Sequence, residues 1–128
     1  MAWRLGGGDP TAAPTQAVFH ADGTYIQVQG TAVGVGSWEP TGPNTGDMTF
    51  AQYMADDTGA FGVATVRATV TVAADDGNLT AVFTVEYVGP DGAATGQMGP
   101  GAGSGTRIAV EPMGSPVAPL GPPASAAP

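Results

Sequence analysis

Cysteine is absent from the 128 residues, and so is lysine. The first absence excludes a disulfide, a thiolate metal site and a catalytic thiol. The second leaves three arginines against eleven acidic residues, for a formal net charge of −8. Such a chain has no cationic patch to offer a nucleic acid or an anionic lipid surface, so neither is expected as a partner. Histidine occurs once, too few for a zinc centre without cysteine, and no metal site is expected. The glycine-rich stretch 99–105 lacks the lysine and the following helix of a phosphate-binding loop. Asp75-Asp76-Gly77-Asn78 is too short for a calcium loop of the helix–loop–helix kind. No cofactor is therefore indicated. No run approaches the length of a membrane helix. The start of the chain lacks the apolar segment of a signal peptide, which predicts a cytoplasmic location.

What is present is a set of short alternating segments separated by glycine, proline and acidic turns. Glycine and proline together number 33, from 21 and 12, but they cluster at the ends and in loops. No helical periodicity persists along the chain. The clearest segment is Phe61–Val88. Ala64, Val66, Ala68, Val70 and Val72 alternate with Thr65, Arg67, Thr69 and Thr71. After Asp75-Asp76-Gly77-Asn78, the residues Leu79, Ala81, Phe83, Val85 and Tyr87 share one parity. This period of two marks strands buried on one face, and the acidic Gly-Asn link marks a turn. Folding the runs together sets Val72 across from Leu79, Val70 from Ala81, Ala68 from Phe83 and Val66 from Val85, small against large. A slip of one residue would expose the apolar set, so burial enforces the register.

Other strands are predicted at Thr15–His20, Thr24–Gln29, Val35–Glu39, Asp47–Met54, Ala93–Gln97 and Thr106–Glu111. In the first hairpin, pairing Phe19 with Thr24 puts Ala17, Phe19, Ile26 and Val28 on the core face and Tyr25 and Gln27 on the other. Met48, Phe50, Gln52 and Met54 share a face of the fourth strand, with Thr49, Ala51 and Tyr53 opposite. The expected architecture is all-β, a small antiparallel up-and-down barrel, since closure removes both sheet edges; an open two-sheet sandwich would use the same pattern. Residues 1–14 are expected to be an irregular arm anchored by Trp3 and Leu5, residues 15–111 the barrel, and residues 112–128 an extended Pro/Ala-rich tail.

The run Gly36-Ser37-Trp38 resembles the Gly-x-Trp motif of the lipocalin-like (calycin) superfamily. The resemblance implies a barrel with Trp38 closing one end and an arginine of the last strand, here Arg107, packed over the indole. Phe19–Thr24, Trp38–Pro43 and Val110–Gly114 also resemble segments of small bacterial β-barrel proteins. That similarity implies the fold rather than an activity.

The leading expected function is binding of a small, largely apolar molecule inside the barrel. Its candidate contacts are Tyr25, Trp38, Phe50, Met54, Phe83, Tyr87 and Arg107. Gln27, Gln52 and Tyr53 are candidates for added hydrogen bonds to a cavity. Alanine and valine make up much of the apolar set, which leaves room in a barrel interior. A second reading is a cofactor-free isomerase or cyclase. Its candidate acid–base groups are His20, the one imidazole, Glu39, a carboxylate beside an indole, Tyr25 and Arg107. A third is an assembly protein whose terminal arms latch the subunits of a homo-oligomer.

Overall fold

The computed structural model describes residues 1–6, 15–55, 57–114 and 118. Eight strands form one closed antiparallel barrel in chain order, the up-and-down topology of calycin-like barrels. They are β1 (Ala2–Gly6), β2 (Thr15–Phe19), β3 (Thr24–Gln29), β4 (Ala32–Gly42), β5 (Thr45–Ala55), β6 (Phe61–Val72), β7 (Leu79–Val88) and β8 (Ala94–Arg107). Each strand pairs with its neighbour, and β1 pairs with β8 to complete the ring. Each strand thereby has a neighbour on both sides.

The β6–β7 hairpin adopts the register expected from alternation: Val72 faces Leu79, Val70 faces Ala81, Ala68 faces Phe83 and Val66 faces Val85. On β5 the inward set is Met48, Phe50 and Gln52, all buried, while Tyr53 points outward and is 66 % exposed. The expected cavity role of Tyr53 is thereby excluded, because its parity is opposite to that of its two neighbours.

Several expectations require correction. Ala2–Gly6 is not irregular: Trp3 is buried and Leu5 packs against the core, and the five residues bridge β2 and β8. Five residues are too few to display a period, yet the barrel cannot close without them. Residues 7–14 of the expected arm, and the expected tail apart from 112–114 and 118, lie outside the described residues.

The β2–β3 hairpin pairs Phe19 with Tyr25, one residue away from the expected register. The inward set is therefore Ala17, Phe19, Tyr25 and Gln27, and Val28 is 42 % exposed. The turn fixes this choice. His20 and Thr24 close it through their backbones, and Asp22 accepts the Thr24 N–H at 2.9 Å. That bond holds the Asp22 carboxyl below its ordinary range.

At the other end of the chain, the glycine-rich stretch is strand rather than loop. β8 runs unbroken in chain from Ala94 to Arg107, with register shifts opposite Phe83/Val85 and Glu86/Val88. Gly101 stands across from Phe83, and a Cβ there would come within 2.8 Å of the ring. The glycine accepts the phenyl ring of the partner strand, which is why a sequence that reads as loop pairs as sheet. The expected last strand, Thr106–Glu111, survives only at its start. Ile108 donates one backbone bond to Ala2, and Val110 beyond it is fully exposed. Likewise β4 extends past the expected stop at Pro40, through a register irregularity between Pro40 and Gly42.

Candidate functional site

The connectivity gives the barrel two unlike ends. One carries both termini of the ring and the β2–β3, β4–β5 and β6–β7 turns. There Trp3, Tyr25, Met48, Val70 and Leu79 form a buried cluster, joined by Phe19 and Trp38. Phe19 packs edge-on against Tyr25 at 4.8 Å between ring centres and against Trp38 at 5.7 Å. Edge-to-face pairs of this kind contribute about 0.5–1.5 kcal/mol each beyond the area they bury. The Trp38 indole N–H donates to the His20 carbonyl at 2.7 Å, tying β4 to the β2–β3 turn. Trp38 thus seals this end. Arg107 is not its partner: it stands in register with Trp3, across the β1–β8 seam, and is exposed. Two indoles share the closure, and the one beside the last-strand arginine is the one on the first strand.

Toward the other end the barrel is hollow. A cavity of about 630 Å³ is lined by side chains of β1, β2, β3, β5, β6, β7 and β8. Such a volume is in the range that holds a small organic molecule. One wall is apolar: Met48, Phe50, Met54, Val66, Leu79 and Phe83, with Ala64, Ala68 and Ala81 giving the space. Met54, 38 % exposed, lies toward the open end.

A polar but uncharged strip adjoins it across β3 and β5, where Gln52 lies between Phe50 and Met54. Tyr25 and Gln27 are two apart on β3 and so point the same way into the barrel. The Tyr25 hydroxyl donates to Gln27 Oε1 at 2.7 Å, and Gln27 Nε2 donates to Gln52 Oε1 at 2.9 Å. Both glutamines are buried and both line the cavity. Their meeting depends on Gly34, which lies between them in the register of β3, β4 and β5. A Cβ at residue 34 would come within 3.0 Å of Gln27 Cγ and 2.9 Å of the Phe50 ring. Tyr25 also packs on Phe50 at 5.2 Å, so the aromatic series Trp38, Phe19, Tyr25, Phe50 runs from the sealed end into the cavity. Burial pushes the Tyr25 phenol well above its ordinary range, because the phenolate would lose its hydration.

Of the candidate contacts, Tyr25, Phe50, Met54 and Phe83 line the cavity. Trp38 lies in the sealed end. Tyr87 sits against Gly62 outside the lining, and Arg107 is exposed at the sealed end. His20 and Glu39 are exposed, one in the β2–β3 turn and one opposite Asp47, and neither reaches the cavity. Tyr25 is the sole ionisable side chain among the described lining residues. Among the described residues no group of three or more acidic or imidazole side chains is placed to hold a metal. No helix among them is long and apolar enough to cross a membrane.

Sequence reasoning did not single out Met48, Val66, Leu79 and Ala81 as cavity residues, although parity placed each on a buried face. It did not find Gln29, Thr15 or Ser104 near the opening. For Gln29 the signal was present, since it shares the parity of Tyr25 and Gln27. Comparison with protein-family models, with curated proteins and with solved structures finds no match to the chain.

Proposed function

We propose that this protein binds a small, largely apolar molecule inside its barrel. The observation that carries the reading is the cavity itself: about 630 Å³ between the strands, apolar over most of its wall, and with no charged side chain among its described lining residues. A barrel selected only for stability gains by filling such a space, because each missing methylene forfeits packing and transfer free energy. Here alanines occupy inward positions 64, 68 and 81 and leave it unfilled. Kinship with the lipocalin-like superfamily belongs to the same proposal, supported by the closed up-and-down topology and an indole-sealed end.

The enzymatic alternative finds less support. Acid–base chemistry needs a titratable group against the substrate. His20 and Glu39 lie outside the cavity, and the Tyr25 proton is engaged by Gln27 in a site that disfavours the phenolate. The assembly reading rests on the terminal arms. Of these, β1 is part of the barrel itself, and 7–14 lies outside the described residues.

Native mass spectrometry of protein purified from its source tests the proposal. A retained neutral organic mass, released on denaturation, is expected. Protein that carries no such mass and takes up no neutral apolar dye would contradict it.

A further inference from the structure

The hydrogen-bond series on the polar wall has a direction. Tyr25 gives its proton to the Gln27 oxygen, and Gln27 gives an N–H to the Gln52 oxygen. Tyr25 uses its single proton in this way, and Gln27 uses one of its two N–H groups. The series therefore ends on a donor, the Nε2 of Gln52, which has no acceptor among the described protein groups. Gln52 is only 8 % exposed and lines the cavity. Its nitrogen is not sealed inside the wall, since every fully buried side-chain polar atom among the described residues has a partner. It surfaces in the cavity. A ligand that covers this N–H must supply an acceptor, because an amide N–H buried without one costs free energy.

The rest of the lining sets the other requirement. Among its described residues it holds no charged side chain, so an ionised ligand would be desolvated without compensation from them. From these two observations we propose that the occupant is an uncharged molecule bearing an accepting oxygen, a carbonyl or ether on an otherwise apolar frame. It sets that oxygen against Gln52 Nε2. The Tyr25–Gln27 pair acts as a positioning device: it commits the Gln52 oxygen to Gln27 and so turns the nitrogen to the ligand. This inference rests on the binding function proposed above and specifies the chemistry of what is bound.

Benzophenone and diphenylmethane share a frame and differ at one centre, a carbonyl against a methylene. Both are titrated into the full chain and into Gln52→Met, with binding followed by NMR. The ketone-to-hydrocarbon affinity ratio is expected to fall about fivefold in the variant, the effect of one neutral hydrogen bond. In the parent protein the Gln52 side-chain N–H resonance is expected to shift with the ketone and not with the hydrocarbon. Gln52→Glu is a second variant: it keeps the acceptor for Gln27 and replaces the free donor by another oxygen. It is expected to lose the same preference, with an unchanged β-sheet circular dichroism spectrum confirming the fold. If both probes bind and the ratio is the same within twofold in all three proteins, the assignment of Gln52 is overturned and the binding function stands. If neither probe binds the parent protein, the binding function falls and the assignment with it.

Discussion

Gln27 Nε2 lies 2.9 Å from Gln52 Oε1, although an entire strand, β4, separates the strands that carry them. The two amides meet because the intervening residue is Gly34, with no side chain to keep them apart. The polar wall of the cavity is thus a property of three strands together and of a glycine in the middle one.

Gly34→Ala tests that dependence. The added methyl would press on Gln27 Cγ and the Phe50 ring. Both neighbours are side chains, so the fold should survive with a loss of about 1–3 kcal/mol, the usual cost of overpacking. Urea denaturation measures it. A neutral variant would show that the contact is not tight.

Tyr25→Phe removes the proton that Gln27 Oε1 accepts. At pH 7 the expected loss is about 1–2 kcal/mol, from one buried amide oxygen left without its donor. The alkaline limb supplies a second readout. The folded state holds the phenol protonated above its ordinary value of 10.0, whereas the unfolded chain releases it there. The unfolded state therefore binds fewer protons above pH 10. The parent protein loses about 1.4 kcal/mol of stability per pH unit from this group, up to the folded value. Tyr25→Phe removes that contribution, so the variant's stability falls less steeply between pH 10 and 11. Parallel slopes for the two proteins would contradict the assignment.

Trp38 contributes to the sealed end in two separable ways. Trp38→Phe keeps a ring beside Phe19 and deletes the N–H given to the His20 carbonyl, for an expected loss of about 1 kcal/mol. Trp38→Ala deletes both and is expected to cost about 2–4 kcal/mol, toward the low side of aromatic truncation because the indole is only partly buried. Equal losses in the two variants would mean that the ring packing contributes nothing.

His20→Ala and Glu39→Gln are expected to leave ligand affinity unchanged within twofold, since both side chains are exposed and outside the cavity lining. Fluorescence titration with a neutral dye measures this. A tenfold loss in either would return those residues to the site.

Alternation was enough to read β6, where valine and alanine alternate with threonine and arginine, and the same parity carried β5 and β7 despite Gln52 inside and Tyr53 and Val82 outside. It misled on β3, because Ile26 and Val28 are more apolar than Tyr25 and Gln27. The barrel nevertheless turns the polar pair inward, where the Tyr25–Gln27–Gln52 bonds satisfy it. A local pattern cannot register compensation supplied from β5, more than twenty residues away in sequence. β8 was hidden for a related reason. Its glycines lack any side-chain signal, and the rings that lie over them belong to another strand, as Phe83 does over Gly101. The candidate contacts Phe50, Met54 and Phe83 were legible as bulky residues of inward parity, whereas Tyr25 was named for its ring and hydroxyl although alternation set it on the face away from the core. The sealed end was legible as a function of Trp38, but its second indole, Trp3, lay in a segment too short to announce itself as a strand.

The space inside the barrel is best probed by filling it. Ala81 faces Val70 on one side and Gly103 on the other and lines the cavity, so Ala81→Phe directs a ring into it. Titration of N-phenyl-1-naphthylamine, a neutral apolar dye, into the parent and the variant compares them directly. Saturable, blue-shifted fluorescence is expected for the parent, with affinity reduced at least tenfold in an equally stable Ala81→Phe. Equal binding by both proteins, or binding by neither, would contradict a ligand-holding barrel.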